Sequence, residues 1–219
     1  VEEQALLIYQ GVINSMDIPK GLIMEMGGGS TNLIYYNRRN LIHYETLPFG
    51  TVTLTDLFKS YSSEPETRAD KIEAFIGEQL DKISWLDSIE PDTAFVGVGG
   101  AFRNLGRISR MVRKYPFNMT HGYEIPMAEF DGLYATIRKL DLDSTMKIKG
   151  LSSGRADIFP SSLAVIKAVL SRLRTERRRD VPLRGARRRR ASPHGRARTL
   201  PAYADEVLRR QRQPRRTRL

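Results

Sequence analysis

The feature that most constrains this sequence is a run of three glycines, Gly27 to Gly29, between two short apolar segments. The stretch from Gly21 to Asn37 reads GLIMEMGGGSTNLIYYN. Apolar runs on both sides of glycine predict two strands, at 21–26 and 33–36, joined as a hairpin. A two-residue turn does not require three consecutive glycines. A turn alone therefore does not explain why this loop lacks side chains.

The glycine loop has the composition of a phosphate-binding loop. Glycine lacks a Cβ atom and adopts positive φ readily, which lets successive N–H groups converge on an anion. Ser30 and Thr31 follow directly and add hydroxyl donors. The same residues also suit a glycine-rich hairpin turn that binds no ligand. The spacing alone leaves both interpretations open.

A second glycine turn, Gly97-Val-Gly-Gly100, lies about 70 residues further along the chain. It follows a buried strand and precedes a helix, and N–H groups at a helix start favour an anion. It is not G-x-x-x-x-G-K-[ST], and it matches G-x-G-x-x-G only in part. Alone, it is typical of a tight strand–helix turn. Together, the two loops favour phosphate binding by both.

The order of the predicted elements indicates an α/β fold. Apolar spacing predicts helices at 2–12, 51–61, 67–86, 101–113, 127–140 and 161–170, and further strands at 41–48 and 92–100. This order favours a mixed sheet of three antiparallel strands, followed by helices and a parallel strand. Another strand is expected after Leu170, but the sequence shows no strand pattern there.

Composition excludes several classes of site. The chain of 219 residues contains no cysteine, which excludes disulfides and thiolate metal sites, and its three histidines are scattered. We therefore predict no metal site built by the protein alone. The sequence shows neither a signal peptide nor an apolar run of membrane-spanning length. A cytoplasmic protein without membrane contact is the expectation.

The positive charge is confined to the C-terminal segment. Residues 172–219 hold 18 Arg, no Lys and four acidic residues, a net charge of +14, which leaves −3 for residues 1–171 out of the total of +11. This segment is either a basic tail that binds nucleic acid or the product of a frameshift in a GC-rich gene. Both interpretations predict disorder. The second also removes the last strand and leaves a sheet edge exposed.

Five segments carry a resemblance to a known family. They occur in the order GLIMEMGGGSTNLI, LPFGTVTLTDLF, FVGVGGAFRNLGRI, YPFNMTHGYEI and GLSSGRADI. Together they resemble the exopolyphosphatase / guanosine pentaphosphate phosphohydrolase family, over about residues 1–170. The resemblance implies a ribonuclease-H-like fold of the actin, sugar-kinase and heat-shock-ATPase superfamily. Members have two such domains with the active site in the cleft between them.

This chain resembles the second domain only, residues 1–171, and the resemblance places the first domain before Val1. It implies hydrolysis of terminal phosphoanhydride bonds in polyphosphate or guanosine pentaphosphate, with Mg²⁺ and a carboxylate that activates water. The implied partners are one of these substrates and the missing N-terminal domain. A homodimer remains open, and nucleic acid would bind only through the tail.

Site residues transfer from the family by matching positions. The phosphate loop matches at Gly27, Gly28, Gly29, Ser30 and Thr31, and the second loop matches at Gly97, Gly99 and Gly100. The catalytic Glu-Glu-Ala segment corresponds to Glu3-Gln4-Ala5, which puts Gln4 at the catalytic position, and glutamine cannot act as a base. A one-residue shift would let Glu3 serve, but a helix would then point it about 100° away. Asn32, the next phosphate-loop residue, stands where the family has an acid.

These two departures keep alternatives open. One is a catalytically silent module that binds phosphate or nucleotide, and another is a nucleic-acid-binding protein with a basic tail. Two arginines lie near the matched segments. Arg155 could contact a phosphate, but we expect it to form a structural ion pair that caps the last helix. Arg103 could reach a bound anion from the start of its helix, but we expect it to be a solvated surface residue.

Overall fold

The computed structural model describes residues 2–90, 92–174 and 183–186. None of the helices in these ranges is long and apolar enough to cross a membrane. Their α-helices are α1 Glu2–Ile13, α2 Thr51–Lys59, α3 Pro65–Leu80, α4 Gly100–Val112, α5 Met127–Ile137, α6 Leu142–Met146 and α7 Phe159–Arg174. Their strands are β1 Lys20–Met26, β2 Thr31–Asn37, β3 Asn40–Leu47, β4 Ala94–Gly99, β5 Glu124–Ile125 and β6 Leu183–Ala186.

The strands form one mixed sheet in the order β3-β2-β1-β4-β6-β5. The first three strands pair antiparallel, as the hairpin and the third apolar run predict. β1 and β4 are parallel, because the chain returns to the same edge after α2 and α3. The predicted α/β fold, with three antiparallel strands, helices and a parallel strand, is confirmed.

Both faces of the sheet are covered. Because side chains alternate along a strand, Leu22 and Met24 of β1 point to the larger core, which α3, α4 and α7 complete. Ile23 points to the opposite face and belongs to a smaller cluster with Ile8 of α1. This burial on both faces explains why β1 and β2 are nearly continuous apolar runs.

The helix predicted at 67–86 is shorter than expected. It begins at Pro65, and it ends at Leu80. Ile83 leaves helical geometry with φ −98° and ψ 85°, and a short 3₁₀ helix follows at Ser84–Ser88. Ile83 and Leu86 are nevertheless buried in the core. The apolar spacing continues past the helix end because these residues pack on the same core by another backbone path.

The boundaries of the later helices also differ from prediction. α5 ends at Ile137, and a separate short helix, α6, follows it. The Asp141 side chain accepts a hydrogen bond from the backbone N–H of Ser144 at 2.8 Å, and so caps the start of α6. α7 begins at Phe159 and continues to Arg174. Arg172 binds Asp81 at 3.1 Å and also pairs with Asp87, which ties the end of α7 to the loop after α3.

The prediction that no strand follows Leu170 is wrong. β6 pairs in parallel with Phe95–Val98, at the edge of β4 that was expected to stay exposed. The backbone N–H of Gly185 donates to Tyr123 O at 3.0 Å, and the N–H of Gly122 donates to Gly185 O at 2.7 Å. A sheet edge offers N–H and C=O groups to any extended segment, so pairing here needs no apolar pattern. The predictions of disorder and of nucleic-acid binding fall mostly on residues 175–182 and 187–219, outside the described residues.

Candidate anion-binding site

The two glycine turns lie side by side at one edge of the sheet. Met26 pairs with Thr31 across the hairpin and with Gly99 across the parallel β1–β4 pair. Both turns therefore leave the sheet at the carboxyl ends of parallel strands, where α/β folds bind ligands. A cavity of about 1470 Å³ opens there, and its walls include Gly27, Gly28, Gly99 and Gly100.

The first glycine loop caps helix α2 through its carbonyl groups. Gly27 O accepts from the N–H of Thr51 at 3.0 Å, and Gly28 O accepts from the N–H of Val52 at 2.9 Å. A Cβ on Gly50 would lie 2.5 Å from Gly27 O. Because Gly50 is bare, the start of α2 approaches the loop closely enough for these bonds.

The N–H groups of the same loop remain available. Within the described residues, the N–H groups of Gly28, Gly29 and Ser30 form no hydrogen bond. A Cβ on Gly29 would meet nothing within 4 Å. None of Gly27, Gly28 and Gly29 has positive φ, so this loop does not use the left-handed conformation that glycine permits. The bare backbone leaves open space beside free amide donors.

The second glycine turn has three glycines with different roles. Gly99 has φ +111°, which only glycine adopts readily. A Cβ on Gly97 would lie 2.0 Å from the Phe102 ring, so Gly97 serves packing behind the cavity. A Cβ on Gly100 would lie 2.7 Å from the guanidinium group of Arg155. Gly100 is the first residue of α4, whose first N–H groups have no partner inside the helix.

In the described part of the chain, four arginines line the cavity: Arg103, Arg107, Arg110 and Arg155. None of the four forms an ion pair within the described residues, and the expected ion pair of Arg155 is absent there. Arg155 instead rests its guanidinium group on Gly100. Arg103 is exposed, as predicted, and the surface it occupies is the cavity wall. Neither Arg107 nor Arg110 was predicted as a site residue, although their spacing from Arg103 places all three on one helix face.

Glu25 is the one acidic residue among those that line the cavity in the described part of the chain. Its side chain is buried, and its Oε2 atom accepts a hydrogen bond from Asn32 Nδ2 at 2.9 Å. Asn32 Oδ1 in turn accepts from the Thr46 hydroxyl at 2.7 Å. Glu25 was not among the residues predicted from the sequence. The available signal was an acidic residue inside the apolar run that leads into the glycines.

The structure separates the predicted phosphate-binding residues into three groups. Gly27, Gly28, Gly99 and Gly100 line the cavity, and Gly29 and Ser30 form the tip of the hairpin. Thr31, Asn32 and Gly97 do not line it. The Thr31 hydroxyl is buried and donates to Phe49 O at 2.9 Å, which anchors the hairpin to the segment before α2.

The predicted catalytic residues Glu3 and Gln4 lie in the first turn of α1. This helix lines the cavity with later residues, among them Leu7 and Gln10, and Asn14 lines it just after the helix ends. Glu3 precedes Leu7 by four positions, so it lies on the same helix face one turn further out. Neither Glu3 nor Gln4 lines the cavity. Their catalytic role stays a prediction.

Solved structures share this fold. The chain superposes on the crystal structure of a Ppx/GppA protein from Aquifex aeolicus with a TM-score of 0.71 and 19% identity, covering 97% of this chain and 64% of that one. An exopolyphosphatase from Cytophaga hutchinsonii gives a TM-score of 0.71 and 21% identity, covering 83% of this chain and 58% of that one. This chain thus spans about three fifths of these solved proteins.

Sequence comparison leads to the same family. A bifunctional 3-dehydroquinate synthase/phosphatase from Fusobacterium nucleatum is 24% identical over 177 residues, which cover 77% of this chain and 26% of that protein. The sequence profile of the Ppx/GppA phosphatase family matches residues 1–184. The strand order, the paired glycine turns and this match, which covers most of the chain, agree, and the chain belongs to the Ppx/GppA phosphatase family.

Proposed function

We propose that this chain is the phosphate-binding part of a hydrolase that removes terminal phosphate from polyphosphate or guanosine pentaphosphate. The observation that carries the proposal is the junction of two glycine turns with one buried carboxylate in a cationic cavity. Four guanidinium groups against one carboxylate give these walls a formal charge of +3. Such a cavity attracts polyanions and suits phosphoryl groups in particular.

The amide groups would hold the terminal phosphoryl group. The free N–H group of Gly28, which lines the cavity, supplies a donor from the hairpin, those of Gly29 and Ser30 lie at the adjoining tip, and the start of α4 supplies others. Amides at a helix N-terminus favour negative charge, and those in a fixed loop cost little reorganisation during the reaction. The Arg155 guanidinium group, at Gly100, adds positive charge beside them.

Glu25 is the residue suited to accept a proton from the attacking water. The water oxygen would form the new bond to the terminal phosphorus, and the bridging P–O bond would break with its electron pair left on the shortened chain. Asn32 fixes one carboxylate oxygen of Glu25, and the other accepts no hydrogen bond within the described residues. This free oxygen can take the proton.

The residues also fit the Mg²⁺ ion that the family resemblance implies. Mg²⁺ sites in phosphoryl-transfer proteins commonly combine one or two carboxylates with substrate phosphates and water. Glu25 is the carboxylate that would hold it, and the ion would supply charge neutralisation on the phosphate oxygens. The described residues contain no group of three or more histidine or acidic side chains that could hold a metal.

Phosphate release from polyphosphate tests the proposal. The assay compares this chain, the longer product of its gene including any sequence encoded before Val1, and the Glu25→Gln variant of each. We propose that a preceding domain completes the cavity, so the longer protein should be the more active. Glu25→Gln should lower the rate by about 10² or more, the usual contribution of a positioned base.

Glu78→Gln is the control, because Glu78 is exposed on α3 and does not line the cavity. A full rate in Glu25→Gln would overturn the role of Glu25. Phosphate binding without release, in the longer protein with Mg²⁺, would instead support the second candidate, a silent phosphate-binding module. The carboxamide of Asn32, where the family has an acid, favours that candidate.

A further inference from the structure

Helix α4 carries a row of arginines away from the glycine turns. Arg103, Arg107 and Arg110 are spaced by four and three residues, so they share one face, and all three line the cavity. Gly100 and Arg110 are ten positions apart, about 15 Å along the helix axis. Helical side chains lean toward the N-terminus, so the three guanidinium groups lead back toward Gly100.

The fold of the protein does not explain the environment of the Arg110 side chain. Its side chain is only 8% exposed, and its Nε atom is buried with no hydrogen-bond partner in the described residues. A buried charged donor without an acceptor is destabilising, and native structures rarely keep one. A ligand that brings oxygen acceptors into the cavity would supply the missing partner.

The nearby acidic residue does not compensate Arg110. Glu129 of α5 is 2.5 Å from Arg113 Nη2, and it also accepts a hydrogen bond from the Ser109 hydroxyl. Glu25 lies at the other end of the cavity, beside the first glycine loop and bound to Asn32. Arg110 is therefore an uncompensated cation among the described residues. The adjoining wall adds the polar side chains of Asn118 and Thr120.

We propose that Arg107 and Arg110, with Asn118 and Thr120, form a second anion subsite for a remote phosphate group of the same ligand. The inference rests on the proposed function, since the glycine turns are the first subsite. The backbone positions of Gly100 and Arg110 are about 15 Å apart along the axis, and the Arg110 side chain recovers only part of that length, whereas hydrogen bonds reach about 3 Å. We therefore expect that one orthophosphate does not contact both the glycine turns and Arg110. The site thus selects a linear chain of phosphates over orthophosphate.

Ligand-induced thermal stabilisation tests the subsite. The charge of the arginine-rich tail should also attract polyphosphate, but binding that is equal in the folded and unfolded chain leaves the melting temperature unchanged. The full chain is melted alone, with orthophosphate and with linear polyphosphate long enough to span about 15 Å. Wild type should gain more from polyphosphate than from orthophosphate.

Arg110→Gln and Arg107→Gln should weaken polyphosphate binding about tenfold, or 1.4 kcal/mol, and so reduce its stabilisation by about 3–6 °C. Their response to orthophosphate should change by less than about twofold in affinity. Lys139→Gln removes the same charge from the exposed turn after α5, outside the cavity, and should behave as wild type. Arg107 is exposed, so Arg107→Gln decides the test if Arg110→Gln fails to fold.

The outcomes separate the two proposals. If both arginine variants keep the full polyphosphate response, the subsite is wrong and Arg110 is a packing residue. If the arginine substitutions reduce the stabilisation by orthophosphate and by polyphosphate equally, the protein has one anion site and not two. If neither ligand stabilises wild type, the proposed function and the subsite both fail. If polyphosphate stabilises wild type but orthophosphate does not, and Gly28→Val leaves the polyphosphate response intact, the subsite stands and the assignment of the glycine loop fails.

Discussion

Replacing Gly97 with alanine perturbs the packing that supports the cavity. The added Cβ would lie 2.0 Å from Cδ1 of Phe102 and 2.4 Å from two further ring atoms. An ordinary contact begins near 3.4 Å, so the ring must shift by about 1.4 Å. Phe102 is buried in the larger core and lies in the first turn of α4. Overpacking of this kind costs about 1–3 kcal/mol.

A matched substitution isolates this cause. Gly77 lies inside α3, and a Cβ there would meet nothing within 4 Å. Gly77→Ala should therefore stabilise the protein by about 0.5–1 kcal/mol, because alanine loses less backbone entropy in a helix. Urea unfolding followed by circular dichroism measures both variants. The reasoning is refuted if Gly97→Ala is as stable as wild type, or if the two variants shift stability in the same direction.

Two further substitutions test buried polar groups. Asn32→Asp would set a second carboxylate against Glu25 and remove a charge-assisted hydrogen bond worth about 2 kcal/mol. We expect the melting temperature to fall by about 4 °C or more and to recover partly with Mg²⁺, and no fall would contradict this. Burial lowers the pKa of His43 below its ordinary 6.5, so the unfolded chain binds the proton first, and stability falls as pH drops below about 6.5. His43→Phe preserves the aromatic stack on Trp85 and should reduce the dependence of stability on pH, which is at most about 1.4 kcal/mol per pH unit. Urea unfolding at several pH values between about 7 and 5 measures this dependence. An unchanged dependence in the variant would contradict the role of His43.

The early part of the fold could be predicted from local sequence. The apolar runs around Gly27–Gly29 are bounded by turn residues, and both strands form where the pattern places them. The end of α3 could not be predicted, because Ile83 and Leu86 keep a core-facing spacing after the helix stops. β6 could not be predicted either, since backbone pairing with β4 stabilises it without an apolar pattern of its own.

The sequence by itself determined the two glycine turns, because the absence of side chains follows directly from the residue type. Only the tertiary structure decided what each glycine does. Gly97 makes room for Phe102, whereas Gly100 borders the cavity under Arg155. Strand register and helix orientation decided which other residues line the cavity. β1 places Glu25 there, and α4 places Arg110 in its wall. Contacts between residues far apart in the sequence set the orientation of both side chains, and the local sequence does not specify these contacts.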